Sequence, residues 1–418
     1  MIKIKLCILM FLQFFVAGAT LPIMSLYLSD HLKFTGSQTG LIVGIAAFSA
    51  IVSPLVAACI ADRLIRAERL LGICHFLGAI VMLFFSRQSS FYPVMFLYLA
   101  YTLLVMPTMP LINAITFHHS PKDRRNKFGN IRVWGTIGWI AVAWVFSFGW
   151  VRGGDLAQSS RLPDIMIFSA LSSLVLSFYT LFLPKGNFIP DAKKQTFLPR
   201  DSFKVIRRPE ILTLALLTMC VAFIDKFYSV GTSPFLKHIG FADESIMPAM
   251  SLGQIPEIFA MGILGFLLTR WGMKKVMILG VSLQLIRFIL CSLAISNWMV
   301  YTSLSIHGLA YTFVFITMFI SLDKYCTSGE RAGVHQLFGM LTSGAGGFMG
   351  SFTAGRVTDL FTDSMGVIDY RAYWLVPAFI AAVTLVCMIL FLKEPAEVEE
   401  PETAQLQESA NRTGASPG

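Results

Sequence analysis

The sequence predicts an all-α membrane protein: twelve transmembrane helices in two six-helix bundles. Three observations carry this. The chain has 418 residues, 55% hydrophobic and only 14% charged, against about 25% charged in a soluble domain. Mean hydropathy is +0.68, which excludes a disordered chain and a soluble globule. Apolar runs of spanning length recur along the whole chain, and a spanning helix needs about 20 such residues. Lipid leaves no partner for unpaired backbone, and no barrel-type alternation is visible, so the runs read as helices.

The runs fall at 5–28, 39–61, 70–86, 91–117, 130–151 and 165–184, then at 211–235, 247–269, 276–294, 299–322, 335–356 and 373–392. The first has a basic start but is too long for a signal peptide and lacks a cleavage site, so it reads as a retained span. Residues 1–184 form the expected N-terminal bundle and 211–392 the C-terminal one. The polar stretch 185–210 is the central cytoplasmic loop. Residues 393–418, rich in Glu, Pro and Ser, read as a disordered acidic cytoplasmic tail.

Charge fixes an orientation. With the N-terminus inside, 21 of the 33 Lys and Arg fall in inside segments and seven in outside ones, which places both termini in the cytoplasm. The net charge of +9 is thus a topology signal, and no nucleic-acid partner is implied. The seven cysteines contain no CxxC pair, so neither a disulfide framework nor a metal site is expected. No cofactor and no catalytic motif is apparent, and the chain does not read as an enzyme.

The loop after span 2, ADRLIRAERLLGI, has a counterpart after span 8, LTRWGMKKVMILG. Each is a tight basic turn between the second and third helix of its half. The first resembles the short acidic-basic loop of the major facilitator superfamily through Asp62, Arg63 and Arg66, a candidate gating element. Such two-half transporters hold their substrate near the bilayer midplane, between the halves.

Ionisable groups inside spans are costly and tend to face a cavity or a partner. Here they are Arg132, Asp225, Lys226, Glu257 and Arg287. Arg132, Thr136 and Trp139 are spaced to share one helix face. Gln254 and Glu257 share another, with Pro256 loosening the backbone between them. Lys226 with Ser229, and His307 with Tyr311 and the adjacent Thr312, add polar stripes in spans 7 and 10. These stripes suit a cavity for a polar, ring-bearing substrate. Each also has a packing explanation, and Arg287 reads as the partner of a buried acid. A carboxyl in a low-dielectric cavity can hold and release a proton near neutral pH, which makes Glu257 the candidate for proton coupling. Pro107 and Pro110 predict a kink in span 4, and six glycines of span 11 allow close helix approach.

Segments across the chain resemble the nucleoside:proton symporter family of the major facilitator superfamily. They are FLQF (Phe11–Phe14), ICHFLGAI (Ile73–Ile80), MPTMPLINAIT (Met106–Thr116), IRVWGTIGW (Ile131–Trp139), GQIPE (Gly253–Glu257) and RAGVHQLFGMLTSGAGG (Arg331–Gly347). The resemblance implies nucleoside import driven by protons, by alternating access, in the bacterial inner membrane. It carries substrate contacts onto Arg132, Thr136, Trp139, Gln254 and Glu257. The DKFYS segment makes Lys226 and Ser229 approximate equivalents of a family amide pair. In span 10 the family pattern of Tyr, then Phe-Asp, becomes His307, then Tyr311-Thr312, without the acid. Expected partners are a nucleoside, protons and the lipid bilayer, with the chain a monomer. The residues alone leave open a proton-coupled permease for a sugar or aromatic acid, and more remotely a sensor that does not transport.

Overall fold

In a computed structural model, the described residues are 2–61, 65–119, 124–151, 161–184, 200–327 and 330–394. Asp62 and Arg63 lie outside them, as do most of the expected central loop and tail. Arg66 is the residue preceding the third-span helix.

The first half of the chain holds α1 (Ile2–Thr20), the short α2 (Met24–Leu26), α3 (Gly36–Ala61), α4 (Ala67–Phe85), α5 (Phe91–Val105), α6 (Thr108–His119), α7 (Arg124–Phe146) and α8 (Ile165–Tyr179). Then come α9 (Arg200–Ile206), α10 (Pro209–His238), α11 (Asp243–Ser251), α12 (Gln254–Leu293), α13 (Asn297–Tyr311), α14 (Thr317–Lys324), α15 (Arg331–Gly339), α16 (Gly347–Leu360) and α17 (Tyr370–Phe391). Among the described residues, nine stretches are long and apolar enough to cross a membrane. One of them, Asp243–Leu293, breaks at Gly272, whose φ of 80° is closed to most side chains. With α3 and the α15–α16 stretch running beside these nine, the arrangement accommodates the twelve expected spans.

Local sequence explains the interruptions. Helix α5 stops at Val105 and α6 starts at Thr108, because Pro107 and Pro110 each lack a backbone donor. The glycine-rich segment of span 11 takes a π-helical turn over Met340–Gly346. Within the expected central loop, α9 is a short helix that packs on α15. Glu394, at the start of the expected tail, accepts from the Met273 and Lys274 backbone nitrogens at 2.5 and 2.9 Å.

Packing has two scales. Apolar side chains fill the bundle, with Trp374, Tyr373 and Phe288 among the largest fully buried ones. Exposed Phe, Leu and Ile cover the outside, as a lipid-facing surface requires. Elsewhere helices approach through glycine. Gly308 of α13 sits against the Gly253 carbonyl and the Glu257 backbone nitrogen, with no room for a Cβ. We expect Gly308→Ala to cost about 1–3 kcal/mol of overpacking. Thermal unfolding in detergent would read this as a lowered midpoint. Gly339→Ala, where the added carbon meets nothing within 4 Å, should leave the midpoint unchanged.

A second polar element was not visible in the sequence. Gln13 donates to the Thr108 hydroxyl at 2.7 Å, and its carbonyl oxygen lies 3.0 Å from His75 Nε2. The other ring nitrogen is 2.9 Å from Ser173 Oγ. All four side chains are buried. The network ties α1, α4, α6 and α8 together, with its polar groups paired internally.

Candidate functional site

Between the two series of helices lies a cavity of about 460 Å³. Its polar wall comes from α7, α10, the α11–α12 region and α13. Nine of the ten expected substrate contacts line it: Arg132, Thr136 and Trp139 from α7, Lys226 and Ser229 from α10, Gln254 and Glu257 from α12, and His307 and Tyr311 from α13. Residues up to 179 positions apart in the chain thus meet at one site.

Arg132 reaches the site from a helix face, one turn before Thr136 and two before Trp139. Its guanidinium lies 4.0 Å from the centre of the Phe14 ring of α1. That contact orients a planar cation without using its N–H donors, which stay available to a ligand. Glu257 lines the same cavity from the first turn of α12. The two opposite charges interact there. A ligand placed between them meets a donor fork on one wall and an acceptor on the other. The Tyr311 ring, 38% exposed, and Trp139 supply aromatic faces.

Thr312 corrects the expectation. It does not line the cavity; it is fully buried and its hydroxyl finds no partner. Being next to Tyr311, it points roughly 100° away around the helix, and a π-helical turn over Thr312–Ile316 begins there. Arg287 also departs from expectation. Instead of pairing directly with an acid, it touches His307 and lies on the ring of Tyr228.

The sequence reading missed Phe14, whose role depends on a contact between α1 and α7. It named Asp225 as an ionisable group in a span without placing it among the substrate contacts, and it left out Tyr228; both line the cavity beside Lys226. Their spacing of i, i+3 on α10 was an available signal.

At one end of the cavity the two helix series close on each other. Gly36 and Ser37, the first residues of α3, donate their backbone N–H groups to Asp359 of α16 at 2.6 and 2.8 Å. The Ser37 hydroxyl bonds the same carboxylate. This is an N-terminal cap supplied by a distant helix. Lys237 Nζ lies 3.7 Å from Asp30 at the same end, and Trp144 donates to Ser251 at 3.1 Å beside the cavity.

A family model described as nucleoside H+ symporter matches residues 1–397 of the chain. The chain belongs to the nucleoside H+ symporter family. Among its relatives is the nucleoside permease NupG of Escherichia coli (strain K12), 30% identical over 397 residues that cover 90% of this chain and 92% of the relative. Xanthosine permease from the same organism is 27% identical over 397 residues, covering 90% and 92%. A crystal structure of nucleoside transporter NupG superposes with a TM-score of 0.83 at 25% identity, covering 94% of this chain and 99% of that one. The fold is that of the major facilitator superfamily, as the sequence predicts. The family consists of multi-pass membrane transporters, and this member's cavity sits between its helix series.

Proposed function

We propose that this protein imports nucleosides together with protons across the bacterial inner membrane, by alternating access. The observation that carries this reading is one cavity combining a ring-stacked Arg132, the carboxyl of Glu257 and the aromatic faces of Trp139 and Tyr311, in a chain of the nucleoside H+ symporter family. Arg132 and Gln254 donate to base or ribose, Thr136 and Ser229 add hydroxyl contacts, and Trp139 and Tyr311 stack on the ring. Glu257 takes up the coupling proton. Lys226 and His307 complete the polar wall. Uptake of labelled uridine by proteoliposomes, competed with nucleosides and with sugars, tests the substrate class. Nucleosides should displace the label; displacement by sugars alone would replace this reading with a sugar permease.

The chain works as a monomer with both termini in the cytoplasm. Its halves, 1–184 and 211–392, rock about the cavity, with the basic loop carrying Asp62, Arg63 and Arg66 on the cytoplasmic side. In that orientation the Asp359 cap closes the outer end. Losing it removes three hydrogen bonds to one carboxylate. Asp359→Ala should therefore favour the outward-open state by about 1–2 kcal/mol. A cysteine placed at Leu21, on the cavity wall, would then react about tenfold faster with an impermeant maleimide added outside. An unchanged rate would show that the cap does not hold the outer end shut.

A further inference from the structure

At the cavity wall, three helices each contribute one charged or titratable side chain to a compact cluster: Asp225 from α10 and His307 from α13, which line the cavity, and Arg287 from α12 behind them. We infer that Asp225 and His307 form a second proton-binding site, distinct from Glu257, in which the arriving proton displaces Arg287. The inference rests on the proton-symport reading above.

Arg287 has no exposed surface. Its guanidinium lies 4.0 Å from the Tyr228 ring centre and 4.7 Å from that of Phe288. One terminal nitrogen contacts His307 Nδ1, while Nε and the other terminal nitrogen have no partner. Guanidinium is permanently charged and only donates. His307 Nδ1 must therefore be the acceptor, so the ring is neutral and carries its hydrogen on Nε2. Asp225 Oδ1 lies 3.9 Å from the same Nδ1. It is buried and accepts no hydrogen bond. The cluster thus holds a cation with unused donors, a carboxylate with an unused acceptor, and a neutral imidazole between them.

Buried polar groups left unpaired are costly, and one proton changes the pairing. When a proton from the cavity bonds to Nδ1, both ring nitrogens become donors. The Arg287 hydrogen bond breaks, because its acceptor is gone and the ring is now positive. A closure of about 1 Å brings Nδ1–H into hydrogen-bond range of Asp225 Oδ1. Removing the proton reverses each step. No bond between heavy atoms changes.

Other groups bear on this pair from every packed element. On α10 they are Lys226, which opposes added positive charge, and Tyr228, whose ring stacks on His307 at 4.8 Å. From α12 comes Arg287 itself, and from α13 Tyr311, which interacts with Asp225; Cys291 and Glu257 lie one step further out, against Tyr228 and Tyr311. Among the described residues, Asp225 is the carboxylate that lies within ion-pair range of Nδ1, at 3.9 Å. Gly308, next to His307, packs directly on the Glu257 backbone nitrogen. This contact places the backbone beside His307 directly against that of Glu257.

A substrate contact and a proton site differ in what they supply, and that separates the outcomes. Proteoliposomes would be assayed for proton-driven accumulation and for nucleoside counterflow, which needs no net proton movement. In Asp225→Asn and His307→Gln, accumulation should fall at least about tenfold further than counterflow. Equal losses in both assays, or no loss in either, would overturn the inference. Absence of flux in the wild type would instead count against the transport reading. Should either variant fold poorly, wild-type protein with 15N-labelled histidine supplies the check. The His307 Nδ1 signal should move from acceptor to N–H on acidification, and it should do so in Glu257→Gln as well. A His307 signal that never changes protonation while the protein remains folded would also overturn the proposal.

Discussion

Glu257→Gln protein is expected to lose concentrative uptake: internal nucleoside should stop rising at the external concentration, with or without a proton gradient. Glutamine keeps the size of the side chain and its capacity to hydrogen-bond, but it cannot take up or release a proton. The site around it stays intact, because Arg132 is held on Phe14 at 4.0 Å and not by the carboxylate. Counterflow should persist at a reduced rate, since Glu257 also borders the substrate. Paired traces of accumulation and counterflow check this directly. A variant that still concentrates substrate would remove Glu257 from the coupling path.

Arg132 carries the second large effect. Arg132→Ala should weaken nucleoside binding by about 2 kcal/mol or more, roughly thirtyfold, the cost of truncating a half-buried charged donor that pairs with a ligand. It also leaves Glu257 facing the cavity without its opposing charge. Arg132→Lys should recover only part of the loss. Lysine restores the charge but not the planar fork, and its ammonium stacks less well on Phe14. Calorimetry of purified protein in detergent checks the order: wild type tightest, Lys intermediate, Ala weakest. Equal binding by Ala and wild type would place Arg132 outside the substrate contacts.

How much of this was legible in the sequence depended on whether a signal was local. The Arg132–Thr136–Trp139 and Gln254–Glu257 stripes obey helical period within a single span, and the cavity gathers both. The break at Pro107 is equally local, since proline acts on its own turn. Thr312 shows the converse: it is adjacent to Tyr311, and one residue along a helix turns its side chain away from the cavity into the packing. The remaining features join distant segments. Phe14 beneath Arg132, Asp359 on the start of α3, the Gln13–His75–Ser173 network and the Asp225–His307–Arg287 cluster all depend on which helices pack together. Sequence spacing alone does not encode that. Single ionisable residues in spans did mark where to look. Asp225 and Arg287 were visible as anomalies before their common partner, His307, could be seen.

The central claim is that substrate moves through this cavity in step with protons. Proton-gradient-dependent uptake of labelled uridine into proteoliposomes tests it most directly. With the outside acidic, label should accumulate inside above its external level, and a protonophore should abolish the accumulation. Uridine flux of the same size and final level with no pH gradient would contradict symport.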